Sequence, residues 1–153
     1  MNRNLKTFQP ELFFGLVGAV GTDLKLVATV LEEELSRVSY KSEHIRLSQL
    51  LADCDKYKYL KDLVGTPEDQ RIDEHMDAGD QLRRTMERGD SVALLSIAKV
   101  REIRAPSDEA LPARAYVFNS LKHPEEIKTF RKTYGENFFT ISIYSPRNSR
   151  LER

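Results

Sequence analysis

Residues 13 to 27 read FFGLVGAVGTDLKLV. An apolar run enters a glycine-spaced turn and leaves as an amphipathic helix, and that order limits the folds open to the chain. The run LFFGLV, residues 12 to 17, is short and almost continuously apolar. Such a run suits a strand buried on both faces, as in a parallel sheet covered by helices. After the turn, Leu24, Val27, Leu31, Leu35 and Val38 recur at spacings of three and four, which marks one helical face. Thr22 or Asp23 is placed to cap its start.

The same alternation continues downstream. EHIRLSQLL predicts a second strand over 43–47 and then a short helix, and DCDKYKYLKDLVG reads as mobile or partly helical. Pro67 suits a first helical position. A stripe of Ile72, Met76, Gly79, Leu82 and Met86 then predicts a helix over 67–88, ended by Gly89. Asp90 or Ser91 caps the next helix, SVALLSIAKVREI, which is apolar enough to pack centrally on the sheet. AYVFNSL predicts a strand over 115–121. HPEEIKTFRKTYG predicts a helix with acidic residues in its first turn, as the helix dipole prefers, closed by Gly135. NFFTISIYS supplies a fourth strand over 138–144, and a helix begins within 146–153. Strands alternating with helices imply an α/β fold with a parallel sheet and right-handed crossovers. Ligands of such sheets bind at the carboxyl ends of the strands. The glycine turn lies at one such end, and the arginine-bearing tail follows another.

Composition narrows the function classes. A chain of 153 residues favours one domain. Lys+Arg and Asp+Glu are both 24, so no global field recruits nucleic acid or a membrane surface. No apolar segment is long enough to span a bilayer, and the N-terminal MNRNLKTFQPE lacks the apolar core of a signal peptide. The lone Cys54 excludes an internal disulfide and a multi-cysteine zinc site, and fits a reducing cytoplasm. His44, His75 and His123 are scattered and form no HxxxH pair, so no metal and no catalytic residue are assigned.

The glycine turn is the main candidate site. Gly15, Gly18 and Gly21 are spaced by three. Glycine allows positive φ and close approach to a ligand, and helix N-terminal N–H groups favour anions. A full GxxxxGK[ST] loop adds a lysine for the β/γ-phosphates and a hydroxyl for Mg²⁺. Counting from Gly18, Asp23 replaces the second glycine, Leu24 the lysine and Lys25 the hydroxyl residue; with Gly21 as second glycine, Thr22 stands at the lysine. A ligand-free strand-to-helix turn and a nucleotide site are equally favoured by this pattern. In the tail, Arg147, Arg150 and Arg153 lie three apart. They suit a phosphate clamp, although spacing alone favours a solvated basic helix end. Asp77, Asp80, Arg83 and Arg84 beside the Met76–Gly79–Leu82 stripe read as a nucleoside-pocket wall or, more commonly, as surface charge.

Taken in order, FFGLVGAVGTDLKLV, HMDAGDQLR, LLSIAKVREIR, LKHPEEIKTFRKTYGENFF and IYSPRNSRLER resemble the N-terminal domain of bacterial anti-phage deoxycytidylate deaminases. LKHPEE with its following YG and FF is the most specific piece, and the resemblance spans nearly the whole chain. It implies a three-layer P-loop nucleoside/nucleotide-kinase-like fold, with a mainly parallel sheet flanked by helices, over residues 1–153. It also implies a cytoplasmic, oligomeric protein of antiviral defence, joined to a zinc-dependent deaminase domain or subunit that converts dCTP or dCMP to the uracil form. The deaminase half needs HxE and PCxxC segments to hold zinc. With Cys54 as its single cysteine the chain has no PCxxC, so zinc belongs to a domain absent from this chain. An isolated domain, a truncated gene product or a fragment is expected.

The expectation is therefore a regulatory module. Gly15, Gly18, Gly21, Thr22, Asp23, Lys25, Arg147 and Arg150 are its candidate nucleotide-binding residues. Its ligand is a deoxycytidine nucleotide or an NTP, with Mg²⁺ as its only expected companion. A small deoxynucleoside or nucleotide kinase with a degenerate loop, and a pure protein-interaction domain, are the alternatives.

Overall fold

The computed structural model describes residues 9–151, without the side chain of Leu151. Arg153 lies outside the described residues. Four strands form one sheet: β1 Leu12–Gly18, β2 Lys41–Arg46, β3 Arg114–Asn119 and β4 Phe138–Ile143. Their order is β2-β3-β1-β4, and every neighbouring pair is parallel. The protein is thus α/β, with helices on both sides of an all-parallel sheet.

The layers follow from side-chain alternation along the strands. Leu16 of β1 and Val117 of β3 face one side and pack on Ala28 of α1, Leu24–Arg37. Phe13, Tyr116 and Phe118 face the other side. They form the main core with Val92, Ala93 and Val100 of α4, Ser91–Arg104, and with Phe130 of α5, Pro124–Tyr134. Phe118 and Phe130 stack with centroids 4.3 Å apart, and Phe13 and Tyr134 with centroids 3.7 Å apart. α1 runs out from β1 toward β2, and α5 runs the opposite way, from β3 to β4. Right-handed crossovers in opposite directions place their helices on opposite faces, as found here.

The β2-to-β3 crossover carries three helices, and two of them build a second small core. α2, Leu47–Asp53, and α3, Glu68–Met86, pack on a 3-10 segment over Asp55–Leu63. That segment is not loose. Tyr57 is 1% exposed and Leu60 3%, and both pack with Leu51 and Ala78. The last element is α6, Arg147–Leu151.

Several sequence expectations shift at their edges. β2 starts two residues early and ends one early, and β3 ends at Asn119, two residues short of Leu121. α3 ends at Met86, and Glu87 rather than Gly89 takes the left-handed C-cap, with φ 52°. Along α1, Ala28 is buried, whereas Val38 lies past the helix end and is 58% exposed. In the α3 stripe, Met76 and Met86 are over 40% exposed, and the fully buried positions are Ala78 and Gly79. No helix among the described residues is long and apolar enough to cross a membrane.

Candidate functional site

A cleft of about 900 Å³ opens beyond the carboxyl ends of β1, β2 and β3. One wall is the turn between β1 and α1. The opposite wall is α3, through Arg71, Ile72, His75, Met76, Gly79 and Arg83. The floor is the β3–α5 connection, through Asn119, Ser120, Lys122 and His123, together with Glu126. Ile72, Met76 and Gly79 of the α3 stripe thus line the cleft, which explains the exposure of Met76, while Leu82 packs against the core.

The β1–α1 turn has a definite geometry. The Thr22 amide donates to the Ala19 carbonyl at 3.0 Å, and Gly21 takes φ +81°. Asp23 caps α1, its Oδ1 accepting from the Leu26 amide at 2.9 Å. The Leu24 amide donates to the Thr22 carbonyl at 2.8 Å. Two of the N–H groups of this turn are therefore engaged internally, whereas the Val20 and Gly21 amides meet no acceptor among the described residues. Leu24 is 8% exposed, and its Cδ2 lies 2.9 Å from where a Cβ on Gly18 would stand. The position that a phosphate-binding lysine would occupy is a core position here.

The other candidates separate into two groups. Gly21, Thr22, Asp23, Lys25 and Arg150 line the cleft, and Gly15, Gly18 and Arg147 do not. Gly15 sits inside β1, where a Cβ would come within 2.6 Å of Leu121 Cδ1 and 2.9 Å of Phe138 Cζ. Its lack of a side chain serves packing. Gly18 is the last residue of β1, next to Thr22 and Leu24. Gly21 supports α6: a Cβ there would stand 2.7 Å from the Arg150 carbonyl oxygen. Arg150 Nη1 donates to the Val20 carbonyl at 3.4 Å, so the arginine tail closes over the turn, as the sequence order suggested. Arg147 is exposed and away from the cleft. On α3, Asp80 and Arg83 line the cleft, and Asp77 and Arg84 do not.

Glu126 and Lys122, which sequence reasoning missed, help to organise the floor. Glu126 is fully buried. Its Oε2 accepts from the Lys122 amide at 2.8 Å and the His123 amide at 3.0 Å, and its Oε1 accepts from Arg83 Nη2 at 2.7 Å. Arg83 also pairs with Asp80 at 3.0 Å. The buried charge is therefore compensated by one guanidinium and two amides. Part of this was legible: His123 before Pro124, with glutamate three residues on, forms a capping box. The link from Glu126 to Arg83, 43 residues away, has no local sequence signal. Lys122 stands at the mouth of the floor, and desolvation lowers its pKa, opposed by the charge of Glu126.

The cleft concentrates unpaired polar atoms. Thr22 Oγ1, Arg83 Nε and Arg150 Nε are buried without a hydrogen-bond partner, and all three residues line it. Buried donors left unpaired cost about 1–3 kcal/mol each, so an acceptor that reached them would stabilise this region. Among the described residues, no group of three or more His, Cys, Asp or Glu side chains is arranged to hold a metal ion. The chain matches no protein-family model, and no curated protein matches it at a significant level.

Proposed function

We propose that this chain is a nucleotide-binding regulatory domain with a P-loop kinase-like fold, serving a deoxycytidine-nucleotide deaminase in anti-phage defence. The observation that carries the binding part is the cleft at the strand carboxyl ends, where the buried Nε donors of Arg83 and Arg150 lack acceptors. The phosphate lies at the Gly21 turn, beside Arg150, and the nucleoside lies along Ile72, Met76 and His75 of α3. Asp80 is the acceptor at hand for ribose or base donors. The β1–α1 turn follows a strand with neighbours on both sides, which is where α/β sheets bind ligands.

Binding without phosphoryl transfer fits the turn. Leu24 is packed under Gly18, so the turn itself places no fixed cation on a β/γ bridge. Asp23 places a carboxylate near the phosphate, which disfavours polyphosphates unless Mg²⁺ intervenes. Calorimetry with dCMP, dCTP and ATP, with and without Mg²⁺, tests the reading, alongside a coupled kinase assay. Weak binding with background transfer is expected. Binding of none of them contradicts it.

A further inference from the structure

The turn holds too few donors to secure a phosphate alone. Its Thr22 and Leu24 amides are used internally, and the lysine position is a buried leucine. A second source of positive charge is needed on the facing side of the cleft. Of the cleft-lining cations, Arg71 bonds Glu68, Arg83 bonds Asp80 and Glu126, and Arg150 reaches the Val20 carbonyl. Lys25 projects from the exposed side of the first turn of α1. Like Lys25, Lys122 makes no side-chain hydrogen bond or ion pair with any described residue; unlike Lys25, which belongs to the helix of the turn itself, it comes from the β3–α5 connection, where Glu126 holds its amide.

Three contacts place it. The Leu121 amide donates to the Leu16 carbonyl at 3.0 Å, which stitches the β3–α5 connection to β1 two residues before Gly18. The Leu121 side chain, 2% exposed, fills the space left by Gly15. The Lys122 amide is held by Glu126 Oε2. Ser120, just before them, adopts φ +73°, a left-handed conformation uncommon for a residue with a Cβ, which turns the chain sharply at the strand end. The backbone of Lys122 is thus fixed against the β1–α1 side of the sheet, and its flexible side chain ends in the cleft.

We infer that Lys122 is the cation that holds the phosphate of a bound nucleotide, in place of the lysine that the turn lacks; this rests on the nucleotide-binding reading above. Lys122 lines the same cleft as Gly21, Thr22 and Arg150, and supplies its charge there. Glu126 acts through others: it fixes the Lys122 amide and the Arg83 guanidinium from one buried carboxylate. A cation that holds the phosphate equally in the ground state and the transition state adds affinity without accelerating transfer.

Calorimetry on the wild-type chain, Lys122→Met, Lys122→Arg and Lys61→Met tests the inference, with dCMP against deoxycytidine and ATP against adenosine. Lys61 is an exposed control, paired with Asp53 outside the cleft. The thermal midpoint of each variant reports folding, which Lys122→Met leaves unchanged because the side chain is exposed. The expected result is at least a tenfold loss of nucleotide affinity in Lys122→Met, with nucleoside affinity unchanged. Lys122→Arg restores most of the loss, and Lys61→Met behaves as wild type. Equal nucleotide affinity in wild type and Lys122→Met overturns the inference and leaves the nucleotide reading standing. An equal loss for nucleotide and nucleoside overturns it too, because the lysine then shapes the cleft without holding phosphate. A wild-type chain that binds neither nucleotide overturns both.

Discussion

Leu121 Cδ1 lies 2.6 Å from where a Cβ on Gly15 would stand. The glycine that opens the β1–α1 motif in sequence is thus a partner of the β3–α5 connection, and through it of Lys122. Gly15→Ala is expected to cost about 1–3 kcal/mol by overpacking. Leu121→Ala alone costs roughly 2–5 kcal/mol by opening a cavity. The double variant should be less destabilised than the sum of the two, because each change makes room for the other. Urea denaturation of all four chains measures the coupling, and simple additivity contradicts the contact.

Glu126 should be the costliest single charge to remove. Glu126→Ala leaves Arg83, 15% exposed, without its buried acceptor and frees two amides at the start of α5. A loss of about 3–5 kcal/mol is expected when one partner of a buried pair is deleted. Arg37→Ala removes an exposed i,i+3 pair with Glu34 and should cost well under 1 kcal/mol. Similar denaturation midpoints for the two variants would refute this ranking.

Asp90 gives a pH signature. Its carboxylate accepts from Arg88 Nε at 2.8 Å and Nη2 at 2.9 Å, and from the Thr129 hydroxyl at 2.5 Å. The Arg88 bonds are the main cause of a pKa near 2, against an ordinary 3.8; desolvation opposes them and Thr129 adds to them. A carboxylate with a depressed folded-state pKa stabilises above its unfolded pKa and loses that contribution as pH falls through the folded one. Wild type should therefore exceed Asp90→Asn in stability at pH 6. The gap should close between about pH 4 and pH 2. Thermal melts of both chains across that range check it; a gap independent of pH contradicts the assignment.

Much of the sheet could be read from local pattern because buried parallel strands are short apolar runs. β1 and β4 fall within a residue of expectation, and the order of elements was legible throughout. The sequence was less informative wherever a residue serves a distant partner. Gly15 looked like part of a ligand loop because its neighbour Leu121 lies 106 positions away. Tyr57 and Leu60 sit in a polar stretch without period, and only α2 and α3 together give them a core. Arg150 was legible as a candidate, although its carbonyl against Gly21 was not. That contact matters for experiments: Gly21→Val would displace α6 as well as crowd a ligand, so loss of binding in that variant does not isolate the turn.

Zinc-dependent deamination of dCTP is expected to be absent from this chain. The single Cys54 leaves no PCxxC segment to complete a deaminase zinc site. Plasma-emission metal analysis should find less than stoichiometric zinc, and chromatography should find no conversion of dCTP to dUTP. One zinc per chain with turnover would remove the basis for a regulatory role.

The central claim is that a nucleotide occupies the cleft between the β1–α1 turn and the Lys122 floor. Amide chemical-shift mapping of the ¹⁵N-labelled chain during titration with dCMP and with ATP tests it most directly. The account predicts concerted, saturable shifts at Val20, Gly21 and Thr22, at Ser120 to Lys122, and at His75 and Met76 of α3. Shifts confined to other surfaces, such as the α1–β2 side around Glu33 and Tyr40, or no shifts with either nucleotide, would contradict it.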